Sequence, residues 1–400
     1  LLEPYDFEAH VFSEANGWPI QRSDLEPYSA EASSIVDLRT PRPVFDMFGG
    51  KSAALIPFQF DYSPPTRFGE KYKDPLTKSD KISVFLNANL VDLDLSDDRR
   101  RVGAAIFRSY GRPEPFTVRA RFFALCLGGL ENPRFLLNAT RQIPGGIGNE
   151  TQLVGRFFCE HPSFRLGDVL LEPAVQARMP VRAHYRARPE FLAANRLDNF
   201  SLAVTTAPTA NRSTFQRGLR AALCGVPVMN RMLAAMRGKG VSCSDADLAI
   251  DASQILNPDS RVRLGTDTDM FGHRRIELKF RLTEADKHMY RVAATEFGKE
   301  LARRNVGRLK LYDWLMDTSL AFPTTKEDEV AENHHMCTTR MSSDPKTGVV
   351  DRDCRIHSLD NLYIGGSSVF ASTGFANPTL TIIHLALRLG DHLDTRLKTG

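Results

Sequence analysis

Apolar and polar positions alternate along residues 81–95, where Ile82, Val84 and Leu86 are followed by Leu90, Leu93 and Leu95. A two-residue period belongs to a strand with one covered face, so a strand is predicted there. Residues 102–110 and 116–127 have the same character, and the polar clusters Asp97-Asp98-Arg99-Arg100-Arg101 and Gly111-Arg112-Pro113 separate them. Strands joined by tight polar turns imply an antiparallel meander. The run 122–127 ends in Gly128-Gly129 and reads as a central strand entering a turn, with a helix expected over 131–139. Beyond it, strand-like pieces at 164–171, 199–206, 262–264 and 275–282 surround a basic helical segment, 214–237, and a large mixed sheet is the natural shelter for them. Residues 283–306 switch to helical spacing through Ala285, Met289, Val292, Ala293, Phe297 and Leu301, and Thr283 with Asp286 forms a near capping box. Residues 1–75 are rich in Pro, Ser and aromatics with little periodicity beyond a turn at 24–28, so a path over a domain surface is expected.

The last seventy residues concentrate the chemistry. The apolar run Leu362-Tyr363-Ile364 breaks into Gly365-Gly366-Ser367-Ser368, which suggests backbone approaching a ligand. Asn377-Pro378-Thr379 reads as a helix start: Asn is a favoured N-cap, and Pro suits a first position whose N–H would be orphaned anyway. Leu380, Ile382, Ile383, Leu385 and Leu389 supply the apolar face of that helix, whose positive dipole end would point toward what the glycines approach. Together these features describe a cofactor site.

Three further segments stand in order: Ser63-Pro64-Pro65-Thr66-Arg67-Phe68-Gly69, Leu127-Gly128-Gly129-Leu130-Glu131-Asn132-Pro133-Arg134, and Val154 to Pro162 with Glu160-His161-Pro162 at its end. With Asn333-His334-His335 and the 373–381 segment, they resemble the glucose-methanol-choline (GMC) family of FAD-dependent oxidoreductases over most of the chain. The resemblance implies an α+β to α/β architecture: an incomplete Rossmann-like FAD-binding domain of GMC type, and a substrate domain with a large mixed or antiparallel sheet flanked by helices. The implied division is a lid-like excursion at 1–75, FAD-domain parts at 76–162 and 331–400, and the substrate domain at 163–330.

Oxidising an alcohol requires a base for the hydroxyl proton, a polar group for the oxygen, and a hydride acceptor that only a cofactor can supply. The resemblance assigns the base to His334, the oxygen contact to Asn377 and the acceptor to FAD, with a small alcohol or sugar as substrate. It maps cofactor contacts onto Leu90 near the adenine and Leu127 and Gly128 at the strand-to-turn segment. Gly366 and Ser367 fall near the pyrophosphate, and Asn377, Pro378 and Thr379 near the isoalloxazine. His161 and His384 are expected as structural histidines, and no metal site is expected, because adjacent histidines cannot share one face of an element. Cys337 stands where most relatives have Gly. The family's Gly-x-Gly-x-x-Gly turn has no counterpart: Gly145-Gly146-Ile147-Gly148 lacks the later glycine, and Gly49-Gly50-Lys51-Ser52 has Phe45 where a phosphate loop needs Gly. A fragment of an enzyme is therefore expected, the rival being a truncated, non-catalytic binding or assembly module.

Composition narrows the classes. With 400 residues, 42% hydrophobic and 25% charged, the chain is long enough for two cores. A net charge of +4 without a Lys/Arg block argues against a nucleic-acid partner. No apolar run reaches the roughly 18–20 residues of a membrane span. Six scattered cysteines without a Cys-x-x-Cys pair argue against a disulfide framework and favour a reduced, intracellular setting. Oligomeric state is left open.

Overall fold

The computed structural model describes residues 1–10, 17–39, 43–206, 246–323, 329–331 and 333–399, with the helical positions Val228 and Met232. The basic segment expected at 214–237 lies, those two positions apart, outside the described residues.

The alternating segments of the middle of the chain build one seven-stranded sheet. Its order is β1 (Leu55–Phe58), β7 (Arg182–Ala187), β8 (Phe200–Thr206), β9 (Ala246–Ala252), β6 (Pro162–Leu171) and β12 (Gly307–Leu311), with β13 (Glu329–Ala331) also paired to β6. Every pairing in it is antiparallel, so of the mixed and antiparallel arrangements the second is the one adopted. Because side chains alternate across a strand, Tyr185, Leu202, Val204, Leu248 and Ile250 point to one face and make a dry core. The helix α2 (Glu284–Arg303) covers that face with Met289, Tyr290, Ala293, Phe297 and Leu301. It starts where the sequence indicates: Thr283 Oγ1 accepts from the Asp286 N–H at 3.4 Å, and Asp286 returns a bond to the Thr283 N–H at 2.7 Å.

A second core lies around a short parallel pair, β5 (Phe123–Leu125) and β14 (Leu362–Ile364), in register Leu362 to Phe123. It is flanked by α1 (Gly128–Asn138) and by α3 (Pro378–Thr399), which begins at the expected Pro378. The meander is also present, as β2 (Asn89–Leu95), β3 (Val102–Ser109) and β4 (Arg112–Val118). Asn361 ties it to β14, bonding Val102 N and Val102 O through its amide.

Three expectations are corrected. The strand expected at 81–95 begins only at Asn89: its partner β3 ends at Ser109, and Val84, Phe85 and Leu86, with no strand to pair, are left exposed. The pieces at 262–264 and 275–282 are not in the large sheet but form a separate hairpin, β10 (Arg261–Thr268) with β11 (Arg274–Lys279), docked on α1 through Arg134 and Asn138. Residues 1–75 do not simply cross the surface: Leu2, Trp18, Ile20 and Leu25 enter the core around β5 and β14, while Met47, Phe48 and Leu55 enter the core under α2. Apolar residues that bury singly leave no period to read.

Candidate active site

Two glycine turns stand side by side at the ends of the parallel pair. Gly128 (φ +87°) follows β5 and Gly366 (φ +102°) follows β14, both in the region of backbone space that side chains avoid. A Cβ on Gly366 would meet only Gly128 Cα, at 4.0 Å, and a Cβ on Gly128 would meet nothing within 4 Å. The result is a bare backbone cradle at the carboxyl ends of parallel strands, where ligands of α/β sheets bind. Asn132, fully buried, locks the two turns together: its Oδ1 accepts from Leu127 N at 3.0 Å, and its Nδ2 donates to Gly365 O at 3.2 Å and Ser368 Oγ at 2.9 Å. Leu127 and Leu90 both line an adjoining cavity of about 360 Å³ with Tyr110, Phe271 and His273. The residues present therefore fit a dinucleotide cofactor of the FAD kind.

The segment carrying His334 is sewn onto this cradle. Met336 exchanges both backbone bonds with Cys159, and Cys337 N, Thr339 N and Met341 N donate to Ser367 O, Ser368 O and Val369 O. Ser367 Oγ donates to His335 O at 2.7 Å, and Gly129 is so close to that carbonyl that any Cβ would strike it. Pro133 lacks the N–H that would serve Gly129 O within α1, and Thr338 Oγ1 donates to that oxygen instead, at 2.6 Å. Cys337 has φ +70°, which accounts for the glycine usual at that position, yet its backbone bond to Ser367 is intact and its thiol is buried.

Around the imidazoles, Glu160 Oε2 accepts the His334 N–H at 2.9 Å, and its other oxygen lies 3.3 Å from His335 Nε2. His334 Nδ1 lies 3.2 Å from His161 Nδ1, and His161 Nε2 lies 3.2 Å from Thr373 O. Thr373 is held by Ser253 Oγ at 3.0 Å and by the Gln254 N–H at 3.2 Å, so the chain of contacts reaches the end of β9. Burial lowers the pKa of His334, helped by the neighbouring His335. Burial and the neighbouring His334 take His161 down to about 3, so it is neutral under physiological conditions. Burial raises the Glu160 carboxyl.

His334 and Asn377 come from separate parts of the fold and are linked through His161 and the Thr373 loop. Asn377 is exposed at the start of α3 and, with Phe58, Phe60, Tyr62, Phe375 and Thr379, lines a cavity of about 330 Å³. Pro378 beneath it is buried. Gly366 and Ser367 are at the cradle, whereas Asn377 and Thr379 are on the second cavity, so the cofactor residues inferred from the sequence fall into two groups. His384 is a buried structural residue as expected, its ring bonding Leu380 O at 2.7 Å and Ser29 Oγ at 3.3 Å. His161, expected to be structural as well, is buried and bonded to Thr373 O, and its other ring nitrogen touches His334. The Glu160-His161 pair leading directly into β6 is the signal that was there to be read. Glu160 and Thr373 were not singled out either. The face of the large sheet opposite α2 adds His184, Ser201 and Asp251, all buried, and among the described residues Ser201 Oγ, Asp251 Oδ1 and both His184 ring nitrogens have no hydrogen-bond partner.

Residues 257–386 match the family model described as GMC oxidoreductase. The chain is 25% identical to the fructose dehydrogenase large subunit of Gluconobacter japonicus over 81% of its own length and 56% of that protein. It is 27% identical to the paromamine 6'-oxidase of Streptomyces fradiae over 68% of its length and 45% of that protein, so it spans about half the length of these curated relatives. Among solved structures, pyridoxine 4-oxidase from Mesorbium loti superposes with TM-score 0.52 at 16% identity, over 93% of this chain and 70% of that one. An FAD-dependent oxidoreductase from Chaetomium thermophilum gives 0.53 at 12% identity, over 96% and 74%. At such identities the likeness is one of fold: helices packed on a parallel pair, and a large antiparallel sheet beside them. Residues 257–386 are thus where the chain matches the GMC oxidoreductases, a family of FAD flavoproteins, and the curated relatives extend the likeness over most of its length. Among the described residues, no helix is long and apolar enough to cross a membrane, and no cluster of metal-ligating side chains is present.

Proposed function

We propose that the complete protein is an FAD-dependent oxidoreductase that converts a CH–OH group of a sugar or other alcohol to a carbonyl. The carrying observation is that the His334 segment is hydrogen-bonded directly to the glycine turn after β14 and packed without a gap on the one after β5. A base fixed to a cofactor cradle is what alcohol oxidation requires. FAD, held by Leu90, Leu127, Gly128, Gly366 and Ser367 and bounded by Asn377, Pro378 and Thr379, supplies the two-electron acceptor that no side chain provides.

His334 takes the hydroxyl proton as the alcohol becomes a carbonyl. Its lowered pKa keeps the ring neutral, and so able to accept, at physiological pH. Asn377, whose amide borders the aromatic cavity, donates to the substrate oxygen while charge builds on it. Relatives named for fructose and paromamine support a hydroxyl-rich substrate. The orphaned Ser201 hydroxyl and Asp251 carboxylate oxygen on the sheet face support it too, because buried polar atoms without partners favour a ligand that supplies them.

The test uses the full-length flavoprotein. His334→Ala retains the yellow flavin spectrum and slows anaerobic flavin reduction by about 10²- to 10⁴-fold, the worth of a positioned base. Reduction at the wild-type rate removes His334 from the mechanism.

A further inference from the structure

We propose that His161 is a positioning residue that sets the tautomer of His334, so that the proton-accepting nitrogen of the base is Nε2. This rests on His334 being the base. The direction of each hydrogen bond follows from what the atoms can do. A backbone carbonyl oxygen only accepts, so the 3.2 Å contact to Thr373 O requires the hydrogen on His161 Nε2. His161 is buried and stays neutral. A neutral imidazole carries one N–H, so His161 Nδ1 holds a lone pair. The 3.2 Å contact between the two Nδ1 atoms is then a bond in which His334 Nδ1 donates. Neutral His334 must therefore have its own lone pair on Nε2.

The acceptor is neutral, and that has consequences. A carboxylate in the place of His161 would raise the pKa of His334 and so enlarge its protonated fraction near neutrality. Neutral His161 fixes the ring without doing so, and once His334 takes a proton the Nδ1–H bond becomes charge-assisted and shortens. Glu160 is occupied elsewhere, accepting the His334 backbone N–H and facing His335, so it places the main chain while His161 places the ring. The Thr373 carbonyl that orders His161 is itself held from β9 through Ser253 and Gln254, and Gln254 Oε1 also accepts the Glu160 N–H at 3.1 Å. The large sheet thus reaches the base through His161 although it does not carry the base.

The experiment measures the tautomer directly, by long-range ¹H–¹⁵N correlation on the complete flavoprotein labelled at histidine nitrogen, with the His334 signals identified by their loss in His334→Gln. Wild type shows hydrogen on Nδ1 of His334. His161→Phe loses that tautomer and slows anaerobic flavin reduction at least about tenfold, less than the roughly 10²- to 10⁴-fold of removing the base. His161→Asn, whose Oδ1 can stand where Nδ1 stood and accept, restores the Nδ1–H signal and a rate within a few-fold of wild type. Hydrogen on Nε2 in wild type, or an Asn variant at least about tenfold slower than wild type, overturns the role of His161, and both readings hold even if His161→Phe fails to fold. An Nδ1–H signal combined with full activity in His334→Ala overturns instead the assignment of His334 as base.

Discussion

Alanine at position 129 tests whether the turn after β5 and the histidine segment must touch. Gly129 does not have a positive φ, so the backbone itself would tolerate a side chain there. The obstacle is steric: a Cβ would lie 2.2 Å from His335 O, 2.6 Å from its carbonyl carbon and 2.8 Å from its Cβ, where real contacts stay beyond 3.0 Å. The carbonyl must retreat by about 0.8 Å or more, and being main chain, bonded to Ser367 Oγ, it cannot swing aside as a flexible side chain would. Overpacking of this kind costs roughly 1–3 kcal/mol, and the fixed backbone puts Gly129→Ala toward the upper end. Because His334 is the next residue along, a displacement approaching 1 Å also slows the reaction by about 10²-fold. Gly145→Ala is the internal control. Its φ is not positive and its Cβ would meet nothing within 4 Å, so neither strain nor overpacking applies and the histidines stay where they are. Urea unfolding of both variants together with anaerobic flavin reduction separates the local clash from a general effect of alanine. Gly129→Ala matching Gly145→Ala in both stability and rate would refute the reasoning.

Other expectations follow from single contacts. Asn132→Ala removes three hydrogen bonds that join the two glycine turns, so it should cost about 2–4 kcal/mol in urea unfolding and lower the flavin content of purified protein; a fully loaded, fully stable variant would contradict this. Thr283→Ala removes the N-cap of α2 and should lower stability by about 1 kcal/mol without changing the reduction rate. His161 titrates near 3 when folded against 6.5 when unfolded, so unfolding takes up a proton at pH values between them and stability falls as pH drops below 6.5. Asp6, pushed up by burial to about 7, acts in the opposite sense and loses stability as pH rises from 3.8 toward 7, which is why the comparison must be made against a variant. Between pH 7 and pH 5 wild type should lose about 2 kcal/mol more than His161→Asn; equal losses would mean that His161 is not held neutral.

Sequence and structure agree most closely where the determining interactions are local. The start of α2 was legible because Thr283 and Asp286 cap it within one turn, and the start of α3 because Asn377 and Pro378 act on adjacent peptide units. Gly128 and Gly366 could be read as turns after apolar runs because a positive φ is a property of one residue. Strand extent was less legible. Residues 82–86 alternate as well as 90–95 do, but a strand lasts only as long as its partner, and β3 gives out at Ser109. Nor does period two reveal which strands share a sheet, and β10 and β11 pair only with each other.

By itself the sequence determined the resemblance to the GMC oxidoreductases, the two glycine turns and the helix starts, and it supplied His334 and Asn377 as the residues proposed for the chemistry. Tertiary structure alone decided that Gly129 presses on the His335 carbonyl, that Thr338 answers the carbonyl left open by Pro133, and that His161 meets His334 across 173 positions. The reason is physical: turns, caps and periodicity are written within a few residues, whereas the donor or acceptor role of an imidazole nitrogen depends on which atom the fold brings to it.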